Sequence, residues 1–116
     1  MTGTPPGPSR HFLSEGVRRP IGECRWRDRV RVVGRVRSLR VQPWEGGVAT
    51  LEATLIDDTG GITVIFIGRQ QIAGLRLGAH VEAEGTVIES RGHLALMNPE
   101  YTLLAAPIEP AAKKRR

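Results

Sequence analysis

Between Arg29 and Leu104 apolar and polar residues alternate with a period of two, the spacing of half-buried strands rather than of helices. From Arg29 to Arg37, Val30, Val32 and Val36 fall on one side, and Arg29, Arg31, Arg35 and Arg37 on the other. The parity then changes, with Leu39 and Val41 apolar and Arg40 polar. Such a flip within one strand predicts a bulge or bend, and Gly34 and Ser38 lie beside it. Pro43-Trp44-Glu45-Gly46-Gly47 reads as a loop. A second strand follows over Ala49–Asp57, with Leu51, Ala53 and Leu55 facing one way and Thr50, Glu52 and Thr54 the other. Asp57-Asp58-Thr59-Gly60-Gly61 predicts a tight hairpin connection. The third strand, Ile62–Ile67, sets Ile62, Val64 and Phe66 against Thr63, Ile65 and Ile67. Apolar on both sides, it is either central in its sheet or carries a sticky outer face.

Gly68–Gly78 is the one stretch that reads as a short helical turn, with Ile72, Leu75 and Leu77 placed to plug one end of a barrel. His80–Glu89 alternates again, Val81, Ala83, Gly85 and Val87 inward and Glu82 and Glu84 outward. Ser90-Arg91-Gly92 turns the chain into a last strand, His93–Leu104, interrupted at Asn98-Pro99. A long curved first strand, five strands in all and a short helix between the third and fourth predict an all-β, five-stranded Greek-key OB-fold barrel. A five-stranded SH3-like barrel competes, but it does not ask for a connector at Gly68–Gly78. The expected organisation is a flexible N-terminal arm and lead-in over 1–27, the barrel over 28–104 and a basic tail over 105–116. Val17–Arg27 is the lead-in, packing Ile21 or Trp26 on the barrel.

These residues also resemble a known family. Leu55-Ile56-Asp57-Asp58-Thr59-Gly60-Gly61-Ile62-Thr63-Val64 is similar to the strand, Asp-x-Thr-Gly, strand signature of the anticodon-binding-like OB-folds. Leu77-Gly78-Ala79-His80-Val81-Glu82-Ala83-Glu84-Gly85-Thr86-Val87 is similar to their fourth strand. The ending Leu94-Ala95-Leu96-Met97-Asn98-Pro99-Glu100-Tyr101 resembles the wedge domain of RecG-type branch-migration helicases. The likeness covers about two-thirds of the chain, from Asp28 to Leu104. It does not extend to a helicase motor, because the chain has no G-x-x-x-x-G-K-[ST] phosphate loop. It implies a stand-alone OB domain of nucleic-acid-binding type, without specifying which nucleic acid.

Charge adds a partner class. The net charge is +5, unevenly spread: residues 1–27 carry +3, residues 28–104 carry −1 and residues 105–116 carry +3. Basic ends on a near-neutral body suit a salt-sensitive, sequence-blind grip on phosphates. The excess of Arg over Lys also has a plain compositional explanation, a GC-rich genome. The 116 residues allow one domain. No apolar run is long enough for a membrane span, and the Pro/Gly/Thr-rich start has no secretory h-region. A single cysteine, Cys24, excludes an internal disulfide and fits a reducing cytoplasm.

In OB-folds the outer face of strands two and three, with the loops joining strands 1–2 and 4–5, holds single strands. The candidate contacts are Arg35, Arg37, Arg40, Trp44, Thr63, Ile65, Arg69, Arg91 and His93. Trp44, in the 1–2 loop, is the best stacking candidate, although a tryptophan folded over the barrel rim would look the same. Arg37 and Arg40 lie nearest that loop; Arg69 follows strand three, and Arg91 and His93 lie at the 4–5 turn. Thr63 and Ile65 fall on the outer face, whereas Phe66 reads as core and Trp26 and Tyr101 as packing residues. Part of the Arg row has a simpler role, because strand one of such a barrel pairs with strand four and faces Glu82 and Glu84. Catalysis finds little support. Asp57-Asp58 is explained by turn chemistry, and His11, His80 and His93 share no ligand spacing with Cys24. Ser14 and Ser90 lack a nucleophile-elbow context, so no cofactor or metal is expected. The leading expectation is non-catalytic binding of single-stranded or branched DNA or RNA. A protein–protein adaptor is the alternative, favoured by sparse aromatics and by Ile65 and Ile67 if exposed.

Overall fold

Fifteen residues, Arg29–Pro43, make one strand that serves two neighbours, and this strand closes the fold. In the computed structural model, which describes residues 16–43 and 45–105, it is β2. It follows a two-residue β1, Val17–Arg18, and precedes β3 (Ala49–Ile56), β4 (Gly61–Ile67), β5 (His80–Ser90), β6 (His93–Met97) and β7 (Glu100–Leu104). The first half of β2 pairs antiparallel with β5, from Arg29↔Thr86 to Arg35↔His80. Its second half pairs antiparallel with β3, from Arg35↔Ile56 to Pro43↔Ala49. The register shifts between Val36 and Ser38, the bulge that the parity change predicts. Gly34 permits the bend, since a Cβ there would stand 2.9 Å from the Ile56 carbonyl oxygen and 3.0 Å from Leu55 Cβ.

β3 and β4 form the expected hairpin, and β4 then runs parallel to β6, with Thr63↔Ala95 and Ile65↔Met97. β6 pairs with β5, and β5 returns to β2, so the pairings close a ring β2-β3-β4-β6-β5. This is the OB barrel, with β6 and β7 as the two halves of its fifth strand, broken at Asn98-Pro99. The inward rows expected from alternation are its core: Val30, Val32 and Val36; Leu51, Ala53 and Leu55; Ile62, Val64 and Phe66; Val81, Ala83 and Val87. Tyr101 packs edge-on against Phe66, with ring centroids 5.3 Å apart. Leu39 packs against the core, but Val41 lies beyond its end and is exposed.

The connector differs from the helix expected over Gly68–Gly78. It is a pair of single four-residue turns, closed by Leu75 N–H to Ile72 O and by Ala79 N–H to Arg76 O. Gly68, Gly74 and Gly78 all take positive φ, which a right-handed helix does not accommodate. Ile72 and Leu75 still plug the barrel, while Leu77 is exposed.

The lead-in is built onto the barrel. β1 runs parallel to β2, with Val17↔Val30 and Arg18↔Arg31. A 3-10 turn, Ile21–Glu23, then buries Ile21 and Cys24 in the core. It is tied to the β3–β4 turn, where Asp57 Oδ2 accepts Ile21 N–H at 2.9 Å and Thr59 Oγ1 accepts Gly22 N–H at 2.7 Å. Gly22 lies so close that a Cβ would stand 2.3 Å from the Thr59 carbonyl oxygen. The Met1–Gly16 arm, apart from Gly16, and the Pro107–Arg116 tail lie outside the described residues.

Candidate nucleic-acid interface

The outward row of β2 is partly neutralised by its own neighbours. Arg29 Nε lies 3.5 Å from Glu84 Oε2, and Arg31 Nε 3.4 Å from Glu82 Oε2. They are diagonal contacts across the β2–β5 pairing, in which Arg31 lies directly opposite Glu84. Glu84 faces outward, yet it is only 2% exposed. The leading segment covers it, and Gly16 N–H donates to its Oε2 at 2.8 Å. That segment therefore seals the β2–β5 side and the β3–β4 turn, leaving the opposite end of the β3–β4 face to other elements.

On the outer face of β3 the central group is Glu52, buried among polar partners. Its Oε1 accepts from Gln42 Nε2 at 3.3 Å and lies 3.9 Å from an Arg40 guanidinium nitrogen. Its Oε2 meets the Arg91 guanidinium at 3.4 Å. Arg40 comes from the far half of β2 and Arg91 from the β5–β6 turn, so two distant segments converge on one carboxylate. β4 lies between β3 and β6, and the Arg91–Glu52 pair closes over its outer face. Both guanidiniums remain open to solvent, at 68% for Arg40 and 51% for Arg91. The trio carries a net +1, on long contacts whose cationic ends are exposed and whose shared carboxylate is buried.

The remaining candidates sort by position. His93 is exposed beside Arg91 and faces Ser90 across the β5–β6 hairpin. Arg69 is exposed just past β4, next to the β2–β3 loop, where Gly68 N–H donates to the Ala49 carbonyl at 2.7 Å. Arg37 is exposed in the β2 bulge, opposite Leu55 and Thr54. Arg35 stands apart from the trio. It lines an open cleft of about 430 Å³ with Arg18, Asp57, Asp58 and His80, where two carboxylates balance the arginines. Thr63 is half-buried. Ile65 faces outward as expected but is 1% exposed, so it offers no surface to a base. Its neighbours across the sheet are Glu52 and Met97, and Asn98 N–H donates to its carbonyl at 2.6 Å. β4 is thus the central strand of the two alternatives. Trp44 lies outside the described residues. Trp26 is not packed: it is 57% exposed, with the Arg27 guanidinium 4.4 Å from its ring centroid.

Two groups have structural duties. Asp57 Oδ1 accepts from Thr59 N–H, Thr59 Oγ1 and Gly60 N–H, and Oδ2 from Ile21 N–H. Burial works against its charge, but these hydrogen bonds outweigh it and hold the carboxyl below its ordinary range. The Met97–Tyr101 segment joins β6 to β7. Asn98, at φ 46°, accepts Ile67 N–H on its side chain, Pro99 is buried and Tyr101 meets Phe66.

The family model described as "OB-fold nucleic acid binding domain", of the tRNA anticodon type, matches residues 30–108. Among solved structures, the OB domain of Ta0387 from Thermoplasma acidophilum superposes with a TM-score of 0.65 at 17% identity, covering 82% of this chain and 93% of that one. The second OB-fold domain of replication protein A from Methanococcus maripaludis superposes with a TM-score of 0.62 at 16% identity, covering 80% of this chain and all of that one. At these identities the likeness concerns the fold. No curated protein matches the chain in sequence.

Proposed function

The chain belongs to the OB-fold nucleic acid binding domain family, and from that premise we propose that it binds single-stranded or branched nucleic acid without catalysing a reaction. The observation that carries this reading is the convergence of Arg40 and Arg91 on Glu52, with both guanidiniums open. Arg69 and His93 extend the cationic and hydrogen-bonding surface toward the two flanking loops. Affinity comes mainly from phosphate contacts and is salt-dependent; stacking adds where an aromatic ring is available. A branched-DNA substrate rests on the RecG-wedge resemblance at Met97–Tyr101, residues that here form the β6–β7 junction. A reducing cytoplasm suits the single buried Cys24.

The test is fluorescence anisotropy with labelled single-stranded, duplex and forked DNA and RNA at two salt concentrations. It uses the full chain and versions lacking residues 1–16 or 107–116. Single-stranded or forked ligands binding the trimmed barrel, more weakly at high salt, support the reading. Equal binding of duplex, or binding lost entirely with the ends, contradicts it. The adaptor reading loses the basis expected for it, since Ile65 is buried and Ile67 is not fully exposed, and draws instead on Val41 and Val48, exposed at the tip of the β2–β3 ribbon. It takes precedence if no oligonucleotide binds at low salt and a stoichiometric protein partner survives nuclease treatment.

A further inference from the structure

Trp26 is a large apolar ring held out of the core. The lead-in buries Ile21 and Cys24, then turns at Arg27, whose φ of 80° is unusual for a residue with a side chain. Two backbone hydrogen bonds fix this turn to β5: Arg27 N–H to the Val87 carbonyl and Val87 N–H to the Asp28 carbonyl, both 2.8 Å. The ring that results is anchored and more than half exposed. It is flanked in sequence by Arg25 and Arg27, both exposed, and residues 16–29 hold five arginines against Glu23 and Asp28. Arg27 already occupies the ring with its guanidinium at 4.4 Å. The turn is fixed at Val87 to the same hairpin that presents Arg91, which follows Val87 by four residues in the chain.

We propose that Trp26 is a second nucleic-acid contact, a base-stacking platform that continues the strand's path from the β3–β4 face past the β5–β6 turn. A base stacks on the ring while Arg25 and Arg27 meet the adjoining phosphates. Every base has a face to stack, and arginine adds a cation–π contribution, so this contact is sequence-tolerant. The proposal rests on the nucleic-acid reading of the β3–β4 face and lengthens its footprint.

The chain has two tryptophans, so Trp44→Phe leaves Trp26 as the sole indole reporter. This variant is titrated with fluorescein-free oligothymidylate while its tryptophan emission is read. In parallel, labelled oligothymidylate is bound to the otherwise native chain and to Trp26→Ala and Trp26→Phe, and melting temperatures are recorded for each. Saturable quenching of Trp26, a loss of about five-fold or more in affinity for Trp26→Ala and partial recovery in Trp26→Phe are expected. Because the side chain is exposed, the melting temperature of Trp26→Ala should stay close to that of the native chain. Unquenched Trp26 with full affinity in Trp26→Ala, while Arg91→Ala still weakens binding, overturns this proposal alone. No binding of oligothymidylate by any version overturns it together with the reading beneath it.

Discussion

Replacing Arg91 by alanine removes one guanidinium from the outer face and leaves the barrel standing. The residue is half-exposed, its contact with Glu52 is 3.4 Å long, and Gln42 and Arg40 remain beside the buried carboxylate when it is removed, so the loss of stability should be small. Its φ of 55° is equally uncomfortable for arginine and alanine, so the substitution adds no backbone strain. Binding should respond more. Losing one phosphate contact to a single strand lowers the slope of log K against log salt by about 0.7. At ~0.1 M salt the corresponding counterion release is worth about 1 kcal/mol, a rise in Kd of about five-fold. The local charge of the Arg40–Glu52–Arg91 trio falls from +1 to zero at the same time. Anisotropy titrations of a labelled oligonucleotide at four or five salt concentrations give both quantities. Arg91→Lys keeps the charge and should recover most of the slope. An unchanged Kd and slope in Arg91→Ala would show that Arg91 serves only as a partner for Glu52, and would refute the phosphate assignment.

Ile65→Ala should act on stability rather than on binding: burial at 1% exposure predicts a loss of about 2–4 kcal/mol and a clear drop in melting temperature by circular dichroism, with the affinity of the folded protein unchanged. Asp57 should contribute to acid sensitivity. Its folded pKa lies below the ordinary 3.8, so its stabilisation is complete above that value and is lost as pH falls through the lower folded one. Urea midpoints at neutral and acid pH should therefore differ less in Asp57→Asn than in the native chain. Burial pushes the Cys24 thiol above its ordinary 9.0, despite the opposing pull of Arg19, so an aromatic disulfide reagent at mildly alkaline pH should label it far more slowly in the folded protein than in urea.

Alternation made the barrel legible because each strand has one face in the core. The bend in β2 was readable too, from a parity change beside Gly34. The spaced apolar residues of Gly68–Gly78 suggest a helix, but three glycines in eleven positions are the contrary signal. The outer faces are less legible because their exposure depends on what folds over a strand. Ile65 has outward parity, but the Arg91–Glu52 pair that closes over β4 joins residues 39 positions apart, which no local pattern encodes. Glu84 is hidden for a similar reason, by a segment 68 residues away. Glu52 was visible on the expected binding face, and a lone acid there was a sign that arginines would gather on it. Trp26 reads as a packing residue from its ring alone, but the arginines on either side favour the solvent-facing position it takes.

Chemical-shift mapping on the isotopically labelled full chain, with and without an unlabelled single-stranded oligonucleotide, addresses the location of the grip most directly. Perturbations gathered on Arg40, Glu52, Arg69, Arg91 and His93 are the result expected, growing on dilution of the salt. Perturbations confined to the Arg18, Arg35, Asp57 and His80 cleft, or to residues 1–15 and 106–116, would contradict the assignment of the β3–β4 face.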